Sequence, residues 1–213
     1  VILVGSLLLN LPISQIATSQ ATYFDHLFTT VSMVCVTGLF TQPVAETYNV
    51  FGQIICMILM QIGGLGLMSI IAFFLYDSGK KMSLVDKLAL QDSLNREDGQ
   101  DFKKYLTTIF KYTFVIELIA AVILSFRFVP ELGTGKGIFT AFFLAISAFC
   151  NAGFDNLGSN SLINYATDPL LNLVIAALII LGGIGFSVWF DFKNSYLSMR
   201  ESTKSKKKKS FYR

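Results

Sequence analysis

The chain has 213 residues, of which 53% are apolar and only 15% charged, with a net charge of +3 carried by 17 basic and 14 acidic residues. The apolar residues run in blocks rather than at amphipathic spacing, which excludes an ordinary water-soluble domain and points to a membrane protein. Three cysteines (Cys35, Cys56, Cys150) and the single His26, with no Cys-x-x-Cys pair, exclude a zinc or redox cluster.

In chain order, Val1 to Leu9 reads as the tail of a membrane span with no basic region before it and no cleavage site after it, so it is not expected to be a signal peptide. Thr22 to Met33 is too short to span and is predicted to be a re-entrant half-helix. Val50 to Tyr76 holds 27 residues without a charge, enough to cross a hydrocarbon core of about 30 Å. Tyr105 to Phe126 is a further span, interrupted by Lys111 and Glu117. Gly137 to Phe149 is a second half-helix. Pro169 to Phe190 is the last span, its start marked by Asp168 as N-cap and Pro169 in the first turn. Lys111, Arg127 and Asp191 lie near span ends, where they are expected to snorkel.

Basic residues are distributed unevenly. Six lie between 80 and 104 and eight between 193 and 213, whereas 14 to 49 has none and 129 to 167 only Lys136. The positive-inside rule therefore places 77–104 and 193–213 in the cytoplasm. The run Lys206 to Lys209 reads as a solvated end near anionic lipid rather than a nucleic-acid site.

One element occurs twice. Ser32, Cys35 and Gly38 recur 115 positions later as Ser147, Cys150 and Gly153, with Phe28 and Phe143 in step upstream. Gln61 to Gly66 (QIGGLG) recurs as Ile180 to Gly185 (ILGGIG), 119 positions later. The unit is span, half-helix, glycine loop, span. Two spans return the chain to the same side, so the copies are parallel repeats. A dehydrated cation needs oxygens in place of its water, and loop carbonyls supply them without net charge. Gly38 and Gly153 reach the positive φ that such loops need, Val36, Thr37, Asn151 and Ala152 would add carbonyls, and the half-helix C-termini favour a cation. The glycines of the second spans read as packing positions more than hinges. Glu117, alone in mid-span, is read either as a structural polar contact or as an ion-attracting group. Asp155 is read as a cation attractor at the outer mouth or as a solvated loop acid.

The strings VTGLF, GQIICMILMQIGGLG, IELIAAVIL, AISAFCNAGF and LGGIGF, in this order, resemble the membrane subunit of the Trk/Ktr/HKT superfamily of potassium uptake proteins, most closely its KtrB-like and NtpJ-like bacterial branch. The resemblance implies four M1-P-M2 repeats (helix, pore helix with filter loop, helix) around one pore, with Gly38 and Gly153 as the first and second filter glycines. It implies a homodimer in the bacterial plasma membrane with a cytosolic nucleotide-binding regulatory subunit. It also implies potassium as the transported ion, sodium as a coupling or activating ion, and no bound cofactor. Only two repeats are present, so the chain looks like an N-terminal half. Cys35 stands where family filters more often carry a hydroxyl or small residue. The reading is thus an all-α polytopic membrane protein: 1–76 first repeat, 77–104 cytoplasmic linker, 105–192 second repeat, 193–213 basic tail. It conducts rather than catalyses. Two rivals are a non-conducting accessory fragment and a membrane enzyme using His26 and Cys35.

Overall fold

The computed structural model describes residues 1–66, 102–185 and 188. These form α1 (Ile2–Asn10), α2 (Tyr23–Val34), α3 (Val44–Thr47), α4 (Val50–Leu65), α5 (Phe102–Leu132), α6 (Thr134–Phe149) and α7 (Pro169–Gly183), with single 3-10 turns at Pro12–Ser14 and Ile163–Tyr165. There is no strand among the described residues; an isolated bridge pairs Gln15 with Tyr48. The linker 77–104 lies outside the described residues except for its last three, and the tail 193–213 lies wholly outside.

Helix starts follow their sequence signals. Asp168 accepts the N–H of Leu171 at 3.1 Å, with Pro169 at the first helical position. Asn49 caps α4 by accepting from Gly52 N–H at 3.1 Å, and its amide donates to the carbonyls of Ile13 and Gln15. Thr22 and Asp25 form a capping box at α2. Hydrogen bonds from Thr22 and from the Thr41 hydroxyl hold the Asp25 carboxyl well below the usual carboxylate range, at about 2.

Three helix ends bear on the expected spans. Of the span expected over 50–76, Val50–Leu65 is helical and ends where Gly66 adopts φ +78°, and 67–76 lies outside the described residues. Of the span expected over 169–190, Pro169–Gly183 is helical and Gly185 has φ +90°, while 186, 187, 189 and 190 lie outside the described residues. The helix expected over 105–126 instead runs to Leu132. Arg127 therefore lies within the helix: it bonds Glu131 one turn on (2.7 Å), pairs with Asp168, and lies over the Tyr165 ring at 5.0 Å. Among the described residues, Leu106–Leu132 is the helix long and apolar enough to cross a membrane; α4, α6 and α7 are shorter apolar helices. Its outer face, with Phe114, Leu118 and Phe126, is exposed and apolar.

Packing follows the repeat but is not confined by it. α1, α2 and α4 pack together, as do α5, α6 and α7, and α4 also packs on α6. One core gathers Met33, Cys56 and Met60 with Phe143, Cys150 and Phe154 and thus joins both copies. A second, around Ala121, Leu124, Leu144 and Leu178, lies within the second copy.

Candidate functional site

Each half-helix ends in the same backbone device. At the end of α2, Val36 N–H donates to Met33 O (3.4 Å) and Thr37 N–H to Ser32 O (2.9 Å); at the end of α6, Asn151 N–H donates to Ala148 O (3.1 Å) and Ala152 N–H to Ser147 O (2.8 Å). This paired bonding is a Schellman cap, which requires a left-handed residue just past the cap. Val36 and Asn151 both have φ 56°. The following glycines match as well, Gly38 at φ 76° and Gly153 at φ 73°. Each loop thus has two left-handed residues where the sequence suggested one. Asn tolerates that conformation, but for β-branched Val it is an outlier.

The repeated serine explains itself here. Ser32 Oγ accepts the N–H of Leu39 and Ser147 Oγ that of Phe154, both at 2.8 Å. One serine therefore binds the loop twice, by its carbonyl and by its hydroxyl. The carbonyls of residues 36–38 and 151–153 accept no hydrogen bond from the described residues.

The two loops meet at their glycines. A Cβ on Gly38 would lie 3.0 Å from Ala152 O and 3.4 Å from Gly153 Cα, and one on Gly153 would lie 3.3 Å from Gly38 Cα. Glycine is needed there for conformation and for approach. Val36, Thr37, Gly38, Asn151, Ala152 and Gly153 are therefore brought together.

The remaining candidates are placed otherwise. Asp155 uses one carboxylate oxygen on Leu157 N–H (2.9 Å) and the other on the Ser161 hydroxyl, so it shapes the following loop rather than standing free at a mouth. Glu117 is 3% exposed and bonded to Gln61, a partner that no sequence pattern indicated. His26 and Cys35 do not meet: His26 is buried against the Tyr48 hydroxyl at 2.9 Å, while Cys35 caps the far end of the same helix, nine residues or about 13 Å along its axis.

Three glycines of the second spans, Gly63, Gly64 and Gly182, are packing positions. A Cβ on Gly63 would lie 2.7 Å from the carbonyls of Met33 and Val34, and one on Gly182 only 1.8 Å from that of Phe149. Each therefore seats the end of its own copy's half-helix. Gly64 instead seats Cys150 of the other copy, with 2.5 Å to Cys150 Cβ.

Comparison with known proteins decides the family: the model for TrkH, cation transport protein, matches residues 4–212. The chain belongs to the TrkH family. The potassium/sodium uptake protein NtpJ of Enterococcus hirae is 45% identical over 190 residues, and the Ktr system potassium uptake protein B of Bacillus subtilis is 44% identical over 190; in each case 89% of this chain and 42% of the relative are covered. The Ktr system potassium uptake protein B of Vibrio alginolyticus is 39% identical over 191 residues, covering 90% of the chain and 41% of the relative. This TrkH-family chain thus spans about two fifths of the length of these relatives. Its family is one of membrane transporters rather than enzymes, and the separation of His26 from Cys35 agrees with that.

Proposed function

We propose that this chain contributes two M1-P-M2 repeats, α1/α2/α4 and α5/α6/α7, to a potassium-uptake pathway, and that residues 36–38 and 151–153 are two segments of its selectivity filter. The observation that carries this reading is the division of labour in the loops. A right-handed residue followed by a left-handed one gathers its N–H groups on one side, and here that side is consumed by the half-helix end and the serine. The carbonyls are left unspent, as a cation replacing its hydration shell requires. Strain at Val36 supports the same reading, because a left-handed β-branched residue costs on the order of 1–3 kcal/mol and such outliers cluster at functional sites.

Two loops enclose half a ring. The surfaces left over are those that further repeats would cover: Phe143 is 0% exposed and Cys150 5%, both against α4, while their counterparts Phe28 (44%) and Cys35 are open. At the other end, Gly64 seats Cys150 but its counterpart Gly183 has only Asn151 Nδ2, at 3.7 Å. Two more repeats, or a second copy of the chain, would complete the ring around potassium. Relatives are named as parts of a Ktr system and as potassium/sodium uptake proteins, and with the family resemblance this supports a homodimer in the bacterial plasma membrane, sodium as a coupling or activating ion, and a cytosolic nucleotide-binding regulatory subunit.

The test is a chimaera in which this segment replaces the matching part of the Bacillus subtilis relative, expressed in a potassium-uptake-deficient bacterium. Gly38→Ser and Gly153→Ser are expected to lower discrimination of potassium over sodium by about tenfold, equivalent to about 1.4 kcal/mol, at unchanged abundance. Unchanged ion preference in both would make these ordinary turn glycines.

A further inference from the structure

Behind the second loop lies a polar network with no counterpart behind the first. Both oxygens of Glu117, in the middle of α5, lie 2.9 Å from the amide nitrogen of Gln61 on α4. The Gln61 carbonyl oxygen accepts Cys150 Sγ–H at 3.1 Å, and Cys150 Sγ is 4.0 Å from Glu117 Oε1. Cys150 caps α6 and directly precedes Asn151, Ala152 and Gly153. The carboxylate therefore reaches the candidate filter through two side chains.

Three facts separate this network from scaffolding. Position 117 corresponds to Ile2 at the 115-residue offset, and Gln61 to Ile180 at the 119-residue offset. Gln61 belongs to the first copy and Glu117 to the second, so the contact joins the copies and is no part of the repeated unit itself. Next, an ionised carboxylate has room for about four hydrogen bonds, and Glu117 has one amide nitrogen. Finally, among the described residues no basic side chain pairs with it, although a charge in a membrane interior is expensive without an opposite partner.

We propose that Glu117 is the counter-charge of the cation held at the second loop, with Gln61 as its positioning residue and Cys150 as the link to the loop. This rests on the filter reading above. The carboxylate and the electron-rich carbonyls face one requirement, a monovalent cation, and its arrival offsets a negative charge that has no basic partner among the described residues. Glu117 thereby sets affinity for the cation more than its rate of passage. Through an effective dielectric of about 20, one unit charge acting across two side chains changes that affinity on the order of tenfold.

The same chimaera provides the test, with potassium uptake measured as KM and Vmax at known abundance. Glu117→Gln keeps the shape and a hydrogen bond to Gln61 but removes the charge. KM for potassium is expected to rise on the order of tenfold while Vmax holds. The exchange Glu117→Gln with Gln61→Glu returns the carboxylate across the same contact and is expected to restore KM to within about twofold of the parent. A Glu117→Gln protein with parental KM at parental abundance overturns the proposal, as does a fall in Vmax without change in KM. Should Glu117→Gln fail to accumulate, the exchange decides alone: restored abundance with restored KM supports the counter-charge, and restored abundance with raised KM overturns it. Gly38→Ser and Gly153→Ser run in parallel separate the two readings. If they alter ion preference and Glu117→Gln leaves KM unmoved, only the counter-charge falls; if they are inert, both fall.

Discussion

The hydroxyl of Ser147 accepts the N–H of Phe154 in a buried setting, so its removal leaves a backbone donor without a partner. Such an orphan costs about 1–3 kcal/mol. Ser147→Ala is therefore expected to lower the thermal unfolding midpoint of the detergent-purified protein, and Ser32→Ala to do so by less, because Leu39 is exposed. Equal stability of parent and both variants would show that the loops are held by other means. The serines were visible in the sequence as a repeated letter, but their work was not, because a hydroxyl seven residues from its partner carries no local signature. Val36 was less visible still. Nothing in a valine announces a left-handed backbone, which is imposed by the cap it completes. Asn151 offered a faint hint, since Asn accepts that conformation more readily than most residues.

Among elements, the second spans and the half-helices are fitted together at glycine. Gly182→Ala would place a methyl 1.8 Å from the Phe149 carbonyl, a backbone atom that cannot rotate aside. Overpacking of this kind costs about 1–3 kcal/mol or more. A control is close at hand: Gly135, also helical, has nothing within 4 Å of its would-be Cβ. Gly182→Ala is expected to depress the unfolding midpoint by several degrees, whereas Gly135→Ala leaves it level or raises it through better helix propensity. A fall of similar size in both would remove the packing argument. Apolar runs made the helices legible, and the Asp168-Pro169 and Asn49 starts were readable or nearly so. Helix ends were not. Gly66 sits inside an uninterrupted apolar run, and α5 passes through Arg127 and Glu131 because those charges satisfy each other, Asp168 and Tyr165 on its flank.

At the scale of the molecule, the two copies are not separate domains. Phe143, Cys150 and Phe154 of the second copy are buried with Cys56, Leu59 and Met60 of the first. Expressed alone, residues 101–213 would expose that surface and are expected to aggregate. Co-expressed with residues 1–100 as a second polypeptide, they are expected to co-purify as a folded pair, as read by gel filtration in detergent. Monodisperse 101–213 on its own would show that the shared core is dispensable. The sequence repeat gave the order of elements but not this relation, since a repeat records what the copies share and the joint core is built from what differs between their neighbours.

The seat of Gly64 against Cys150 also implies a schedule. A ribosome delivers α4 well before α6, and chains mature from the N-terminus as they emerge. The second loop therefore arrives to find its mould already cast, whereas the first, with Cys35 open, waits for Gly63 of its own copy to seat the end of its half-helix. A lesion at Gly64 would accordingly leave the early loop sound and spoil the late one, a defect that travels forward along synthesis.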